Sequence, residues 1–288
     1  MGQKDLTQKS LEWYPDVFAD IINALLYDGK PVVSEGDLQS APTETLYRDS
    51  QKRLRNQFHD VSKYVIKNDE IKMQYMLENE TTVRRKTVLR KAGYQGAVYR
   101  QEYDGDMLYP VISILLYWGK KRWRSPKSLK GLLACDDDSK RYMDDCKLIV
   151  YEMAYLPYEI RQKLQSDMRI VTDYLTEGKD YVPTRQGIKH LDALLMLLQA
   201  LTGDIRYEEI LPLMREEQEK KGEVTMCELL DKYENRGLER GMAQGMAQGM
   251  ERVNELIKCL IRAGRSTEIE RAVSDKEYQN HLLCEYGL

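Results

Sequence analysis

Apolar residues three and four apart open the chain. In LEWYPDVFADIINALLYDGK, residues 11–30, Val17, Ile21 and Leu25 form one row and Phe18 and Ile22 a second. That spacing predicts a helix with one buried face, stopped by Asp28-Gly29. Asp16 and Asp20 lie four apart on a shared face, with Asn23 beside them. KPVVSEGDLQSAPTETLY then reads as a polar connection. Two β-prone runs follow, FHDVSKYVI and IKMQYML, joined by KNDE. An Asn-Asp turn between such runs predicts a hairpin. VRRKTVLRKAGYQGAVYRQEY predicts basic helix with a glycine break. YPVISILLYWG is a continuous apolar run of the kind a central strand needs, and CKLIVYEMAYL is another. Pro157 opens a helix at its first turn.

After Tyr181 the pattern turns helical throughout, as in TRQGIKHLDALLMLLQALTGD, which Gly203 stops. Gly237, Gly241, Gly245 and Gly249 recur every fourth residue. Each glycine inside a helix costs about 1 kcal/mol against alanine, so this run is a weakened helix or a connector. The expected class is α/β: a mixed central sheet flanked by helices over residues 1–178, then helical regions. These are a helical stretch at 179–236, the glycine-rich connector at 237–250 and a helical tail at 251–288.

The second hairpin strand ends at Glu78-Asn79-Glu80. Alternate residues of a strand share a face, so Glu78 and Glu80 point to one side. A three-residue loop centred on Asp69 puts Asp60 and Glu78 each nine residues from the centre, facing one another across the hairpin. A loop one residue shorter would shift the pairing by one and turn the side chains apart. Like charges this close call for water, a base or a cation between them.

Composition changes the picture less than distribution does. The chain has 288 residues, 42% hydrophobic and 32% charged, with a formal net charge of −3. A sizeable core is within reach and the surface is highly charged. Five scattered cysteines without a CxxC spacing argue against a disulfide framework or a structural zinc site. There is no run of about 18 apolar residues, so no membrane span is expected. MGQKDLTQKS has no apolar signal segment, and the expected location is cytoplasmic. Two acid-free basic stretches stand out. One carries Arg84, Arg85, Lys86, Arg90, Lys91 and Arg100; the other carries Lys120, Lys121, Arg122, Arg124, Lys127 and Lys130. Such patches suit phosphate contact whatever the total charge. Trp123, within the second, suits loop anchoring or base stacking.

Hydrolysis of a phosphodiester needs an activated water and a stabilised oxyanion, and a magnesium ion held by a few carboxylates supplies both. Asp60 and Glu78, with the Asn79 backbone carbonyl, form half of such a cage. An acid from the first helix, Asp16 or Asp20, would complete it.

The chain resembles the PD-(D/E)XK nuclease-fold transposase family, the recombination-promoting nucleases. The resemblance is carried by YPDVFADIINALLYDGK, HDVSKY, LENET, GYQGAVYR, YPVISILLYWGKKRWRSPKSL, VYEMAYL and LTGDIRYEE, in that order, over roughly residues 8–250. The glycine run sits where these proteins carry glycine-punctuated charged repeats. The resemblance implies a restriction-endonuclease-like core and Mg²⁺-dependent hydrolase activity on DNA, linked to DNA recombination or mobile elements. Asp60 matches the family's metal-binding aspartate and Glu78 its second carboxylate; Asp16, then Asp20, matches the helix acid. Two residues after that Glu the family carries Lys or Gln, and this chain carries Glu80, a departure that bears on the catalytic set Asp60, Glu78 and Glu80. Tyr99 and Arg100 match a Tyr-Arg element. The DNA-contacting set is then Arg84, Arg85, Arg100, Lys120, Lys121 and Arg122. A second reading is a catalytically impaired nuclease fold that binds DNA or assembles. Self-association through the C-terminal helices is a further expectation.

Overall fold

The computed structural model describes residues 9–48, 54–58, 60–103 and 108–288. His59, within the first hairpin run, lies outside the described residues. The chain divides into two compact units, one ending at Met226 and one spanning Cys227–Leu288.

The first unit is built on a five-stranded mixed sheet flanked by helices, as the apolar pattern predicts. Among the described residues, seven strands occur in chain order: β1 (Leu38–Ser40), β2 (Glu44–Arg48), β3 (Leu54–Phe58), β4 (Val61–Lys67), β5 (Glu70–Glu80), β6 (Val111–Tyr117) and β7 (Ile149–Glu152). The main sheet has the order β1-β4-β5-β6-β7, and β2 pairs with β3 as a separate antiparallel ribbon. β1, β4 and β5 are antiparallel neighbours; β6 joins β5, and β7 joins β6, in parallel. Helix α2 (Thr87–Tyr103) makes the long crossover that parallel β5 and β6 require. It is continuous through Gly93 and Gly96, without the expected break. Stretch 30–47, expected as a plain polar connection, carries β1 and most of β2. Its apolar residues are too few to produce a strand period, so pairing with a neighbour, not local pattern, makes these strands.

Helix α1 (Pro15–Leu26) buries Val17, Phe18, Ile21, Ile22 and Leu25, the two rows read from the sequence. Each such side chain contributes about 1.5–3 kcal/mol by leaving water. Residues 9–12 are helical as well, but the chain breaks at Trp13-Tyr14 before α1 begins. Pro15 accounts for the break: it has no N–H to donate back and suits a first turn. In the sheet, Tyr75, Met76 and Leu77 of β5 and Ile114, Leu115 and Leu116 of β6 are buried on both faces, as central strands should be.

After the sheet come α3 (Met168–Glu177), α4 (Leu191–Thr202) and α5 (Arg206–Lys221). α4 ends at Gly203, which is left-handed at φ 76°, the residue the sequence marks as a stop. In the second unit, α6 (Met226–Arg262) runs straight through the glycine repeat, so 237–250 is helix. α6 is followed by α7 (Ile269–Ser274) and α8 (Lys276–Tyr286). Leu256, Leu260, Ala272 and Leu282 form this unit's own core.

Candidate functional site

The β4–β5 hairpin sets the site. Its turn has two residues, Asn68 and Asp69, at φ 55° and 60°, a left-handed pair that Asn and Asp tolerate. The pairing leaves the turn as Lys67↔Glu70 and Ile66↔Ile71. A bulge then leaves Lys72 unopposed, and the register resumes as Val65↔Met73 through Val61↔Leu77. Extended by one residue, that register puts Asp60 opposite Glu78. The loop is thus shorter than expected, and the bulge restores the pairing.

Asp60 is held from two sides. Its Oδ2 accepts the Asn79 backbone N–H at 2.6 Å, and its Oδ1 meets the Lys9 ammonium at 2.6 Å. The Asn79 side chain extends the network: its Nδ2 donates to Glu12 Oε2 at 2.7 Å, and its Oδ1 accepts Trp118 Nε1–H at 2.6 Å. Asn79 therefore serves here through its N–H and its amide. Glu12 is wholly buried, and its Oε1 finds no hydrogen-bond partner among the described residues. Burial pushes its carboxyl up to about 8, and nearby Asp60 adds to the rise, against a smaller pull down from the Asn79 hydrogen bond and Lys9. Glu12 thus carries a proton at neutral pH.

Glu78 and Glu80 are both buried on β5. Arg90, from the first turn of α2, donates to Glu80 Oε1, and Arg84 approaches Oε2 at 3.9 Å. Burial works against the Arg90 charge, and Glu80, Tyr94 and Glu78 more than offset it, so the guanidinium is held above its ordinary value. Glu80 is accordingly the anchor of an arginine pair. Glu80→Gln keeps an acceptor but loses the charge, and is expected to cost about 1–2 kcal/mol in urea denaturation. An unchanged midpoint would make the pair a solvated one.

Asp16 and Asp20 are engaged elsewhere. Asp16 faces His190 Nε2 at 2.9 Å, with Tyr14 stacked on the imidazole at 3.7 Å between centroids. Asp20 accepts the backbone N–H groups of Gln165 and Ser166, and Asn23 pins Val32 and Val33. The acid of the first helical segment that joins Asp60 is Glu12, one turn before Asp16. Its signal in the sequence is a lone carboxylate between Leu11 and Trp13, four residues before Asp16. The Pro15 break separates the two, and so the spacing rule passes Glu12 over.

The basic residues flank this end of the sheet. Arg84 and Arg85 lie four and five residues past the end of β5 and are exposed, and Lys120, Lys121 and Arg122 follow β6. Arg122 pairs with Glu152 at 3.1 Å and lies 4.7 Å from the Tyr155 ring. Arg100 is exposed on α2, while the Tyr99 hydroxyl accepts the Val111 N–H at 3.2 Å, a strand-start contact. Trp123 is buried against Tyr117, and its ring N–H donates to the Ser125 carbonyl at 3.0 Å, so it anchors its loop. A crevice of about 520 Å³ opens where β5 and β6 end, lined by Thr81, Trp118, Lys120, Tyr155, Thr176 and Leu201. Trp118 is shared between this crevice and the Asn79 network, so the crevice adjoins the acids. Openings at the carboxyl ends of parallel strands are where α/β sheets bind ligands.

Among the described residues, no group of three or more His, Cys, Asp or Glu side chains is gathered into a metal cage. The donors present are nonetheless oxygen-only, which suits a hard divalent cation. Their charge is met by the Lys9 ammonium on Asp60, a proton on Glu12 and Arg90 beside Glu78 and Glu80. Among the described residues, no helix is long and apolar enough to cross a membrane. No family model, curated protein or solved structure matches the chain.

Proposed function

We propose that this chain is a Mg²⁺-dependent DNA endonuclease on a restriction-endonuclease-like core, serving recombination or mobile-element traffic. The observation that carries the reading is the wholly buried Glu12 carboxyl, one oxygen unbonded among the described residues, linked through Asn79 to Asp60 at the strand end where the sheet changes from antiparallel to parallel pairing. Stability alone gives little reason to bury a carboxylate with one oxygen unbonded, whereas a cation-binding site does.

Asp60 and Glu78 would hold the ion, with Glu12 behind them. A bound divalent cation supplies a polarised water and charge stabilisation for phosphodiester hydrolysis. The chain's own groups do the rest. Asn79 N–H fixes the Asp60 carboxylate, and Trp118 fixes the Asn79 amide against Glu12. Lys9 pairs with the Asp60 carboxylate at 2.6 Å and balances its charge. Lys120 lines the crevice, and Arg84, Arg85 and Lys121, exposed on the segments that follow β5 and β6, would add positive charge for the phosphate backbone.

Nicking of supercoiled plasmid with Mg²⁺, and its loss in EDTA, tests the reading; cleavage equal in both would refute it. The second reading, a nuclease fold that binds DNA without cutting it, has one observation in its favour. Lys9, Arg84 and Arg90 already neutralise the acids. Binding without nicking under any divalent cation would select it.

Both readings require salt-sensitive DNA binding. Lys120→Glu with Lys121→Glu should flatten log K against log salt by about 0.9 for each phosphate that the variant no longer neutralises. The same slope in the variant would move the DNA surface away from the β6 end.

A further inference from the structure

The solvent face of α6 carries a self-complementary pattern. Residues 237–252 are all exposed, among them Leu238, Met242, Met246 and Met250, the three methionines at 64%, 71% and 66%. Monomeric proteins seldom present such a continuous apolar row to water. Next to that row run Gly237, Gly241, Gly245 and Gly249, and a Cβ at any of them would meet nothing within 4 Å. A row of long, adaptable side chains therefore lies beside a row of empty positions. Met246, Gly249, Met250 and Val253 already line a shallow groove between the two rows.

The charges at the ends of the pattern select the partner. The sequence from 239 to 252 reads ERGMAQGMAQGMER, with Glu-Arg at both ends. Two copies laid antiparallel about a two-fold axis between Gly245 and Met246 bring each methionine onto a glycine. Met246 meets Gly245 of the second copy, Met242 meets Gly249 and Met250 meets Gly241. The same register sets Glu239 against Arg252 and Arg240 against Glu251, every charge facing its opposite. Parallel copies in register would instead oppose methionine to methionine and glutamate to glutamate. Rows four apart on both helices interdigitate in the commonest class of helix packing. A two-fold interface requires this kind of self-complementary surface.

We infer that α6 is a homodimerisation helix and that its occupant is the same helix of a second copy, antiparallel and centred on Gly245-Met246. The paired stretch is about 24 Å long at 1.5 Å per residue, shorter than a standard interface needs, so the dimer should be concentration-dependent. This inference is independent of the nuclease reading.

Sedimentation velocity of the full chain across a concentration series tests it. The expected result is a monomer–dimer equilibrium. Gly245→Leu replaces a poor helix residue with a good one at a position open in the single chain. It should preserve or raise helicity by circular dichroism and abolish the dimer. Glu251→Arg sets like charges across the axis twice over and should weaken the dimer about tenfold. Adding Arg240→Glu should restore it. A monomer at every concentration, a dimer undiminished by Gly245→Leu, or a charge swap without rescue would each overturn the proposal.

Discussion

Asp60→Asn should reduce Mg²⁺-dependent plasmid nicking by about 10³-fold or more, a loss of about 4 kcal/mol of transition-state stabilisation. The chemistry requires a full negative charge where the cation is held, and asparagine has none. The fold should tolerate the change. The Asn side-chain oxygen still accepts the Asn79 N–H that Asp60 accepts at 2.6 Å. The substitution breaks only the ion pair with Lys9, whose two side chains are 16% and 18% exposed. Both side chains are mostly shielded from water, so losing that pair should cost about 1–3 kcal/mol, still less than the loss of transition-state stabilisation. Activity and stability thus separate, and urea denaturation alongside the nicking assay reads both. Glu78→Gln should behave in the same way, since its charge lies beside Arg90 in the same site. Parent-rate nicking by either variant would take these carboxylates out of the reaction. Equal losses of activity and stability would make them structural.

The sheet, its central strands and the buried rows of α1 could be read from the chain because each has a strong period or a continuous apolar run. The register of β4 on β5, which runs up to Val61↔Leu77 beside Asp60 and Glu78, was also readable, though the turn that produces it is not the one expected. A three-residue loop and no bulge predict the same partners as the two-residue Asn68-Asp69 turn with Lys72 bulged out. A bulge leaves no composition signal in a run as regular as IKMQYML, so the two arrangements cannot be told apart from spacing. Glu12 was out of reach for a different reason. Its importance depends on Asn79 and Trp118, which are distant in sequence, and on a break at Trp13-Tyr14 that separates it from α1. Glu80 reads as a free carboxylate because Arg90, which neutralises it, comes from the next helix. Local pattern finds the elements here, and long-range polar partners decide what their acids do.

Glu12→Gln should make stability nearly independent of pH over the range where the parent protein weakens. In the folded chain Glu12 keeps its proton up to about 8, against an ordinary value of 4.5. The unfolded chain has lost that proton well below neutrality. Between the two values the folded state therefore binds more protons, and stability must fall as pH rises from about 4.5 to about 8, then level off. A displacement of this size corresponds to about 3–5 kcal/mol for a wholly buried group. Glutamine cannot ionise, and its oxygen can still accept from Asn79. Urea midpoints across this range should therefore fall for the parent and stay flat for the variant, with the two nearly equal at acid pH. Added Mg²⁺ extends the test to function. An ion bound beside Glu12 favours the ionised form, so its affinity should rise with pH through about 8 in the parent and stay level in Glu12→Gln. Parallel stability curves would show that Glu12 ionises normally. A pH-dependent parent whose stability Mg²⁺ does not restore would leave the buried proton real but unconnected to a cation.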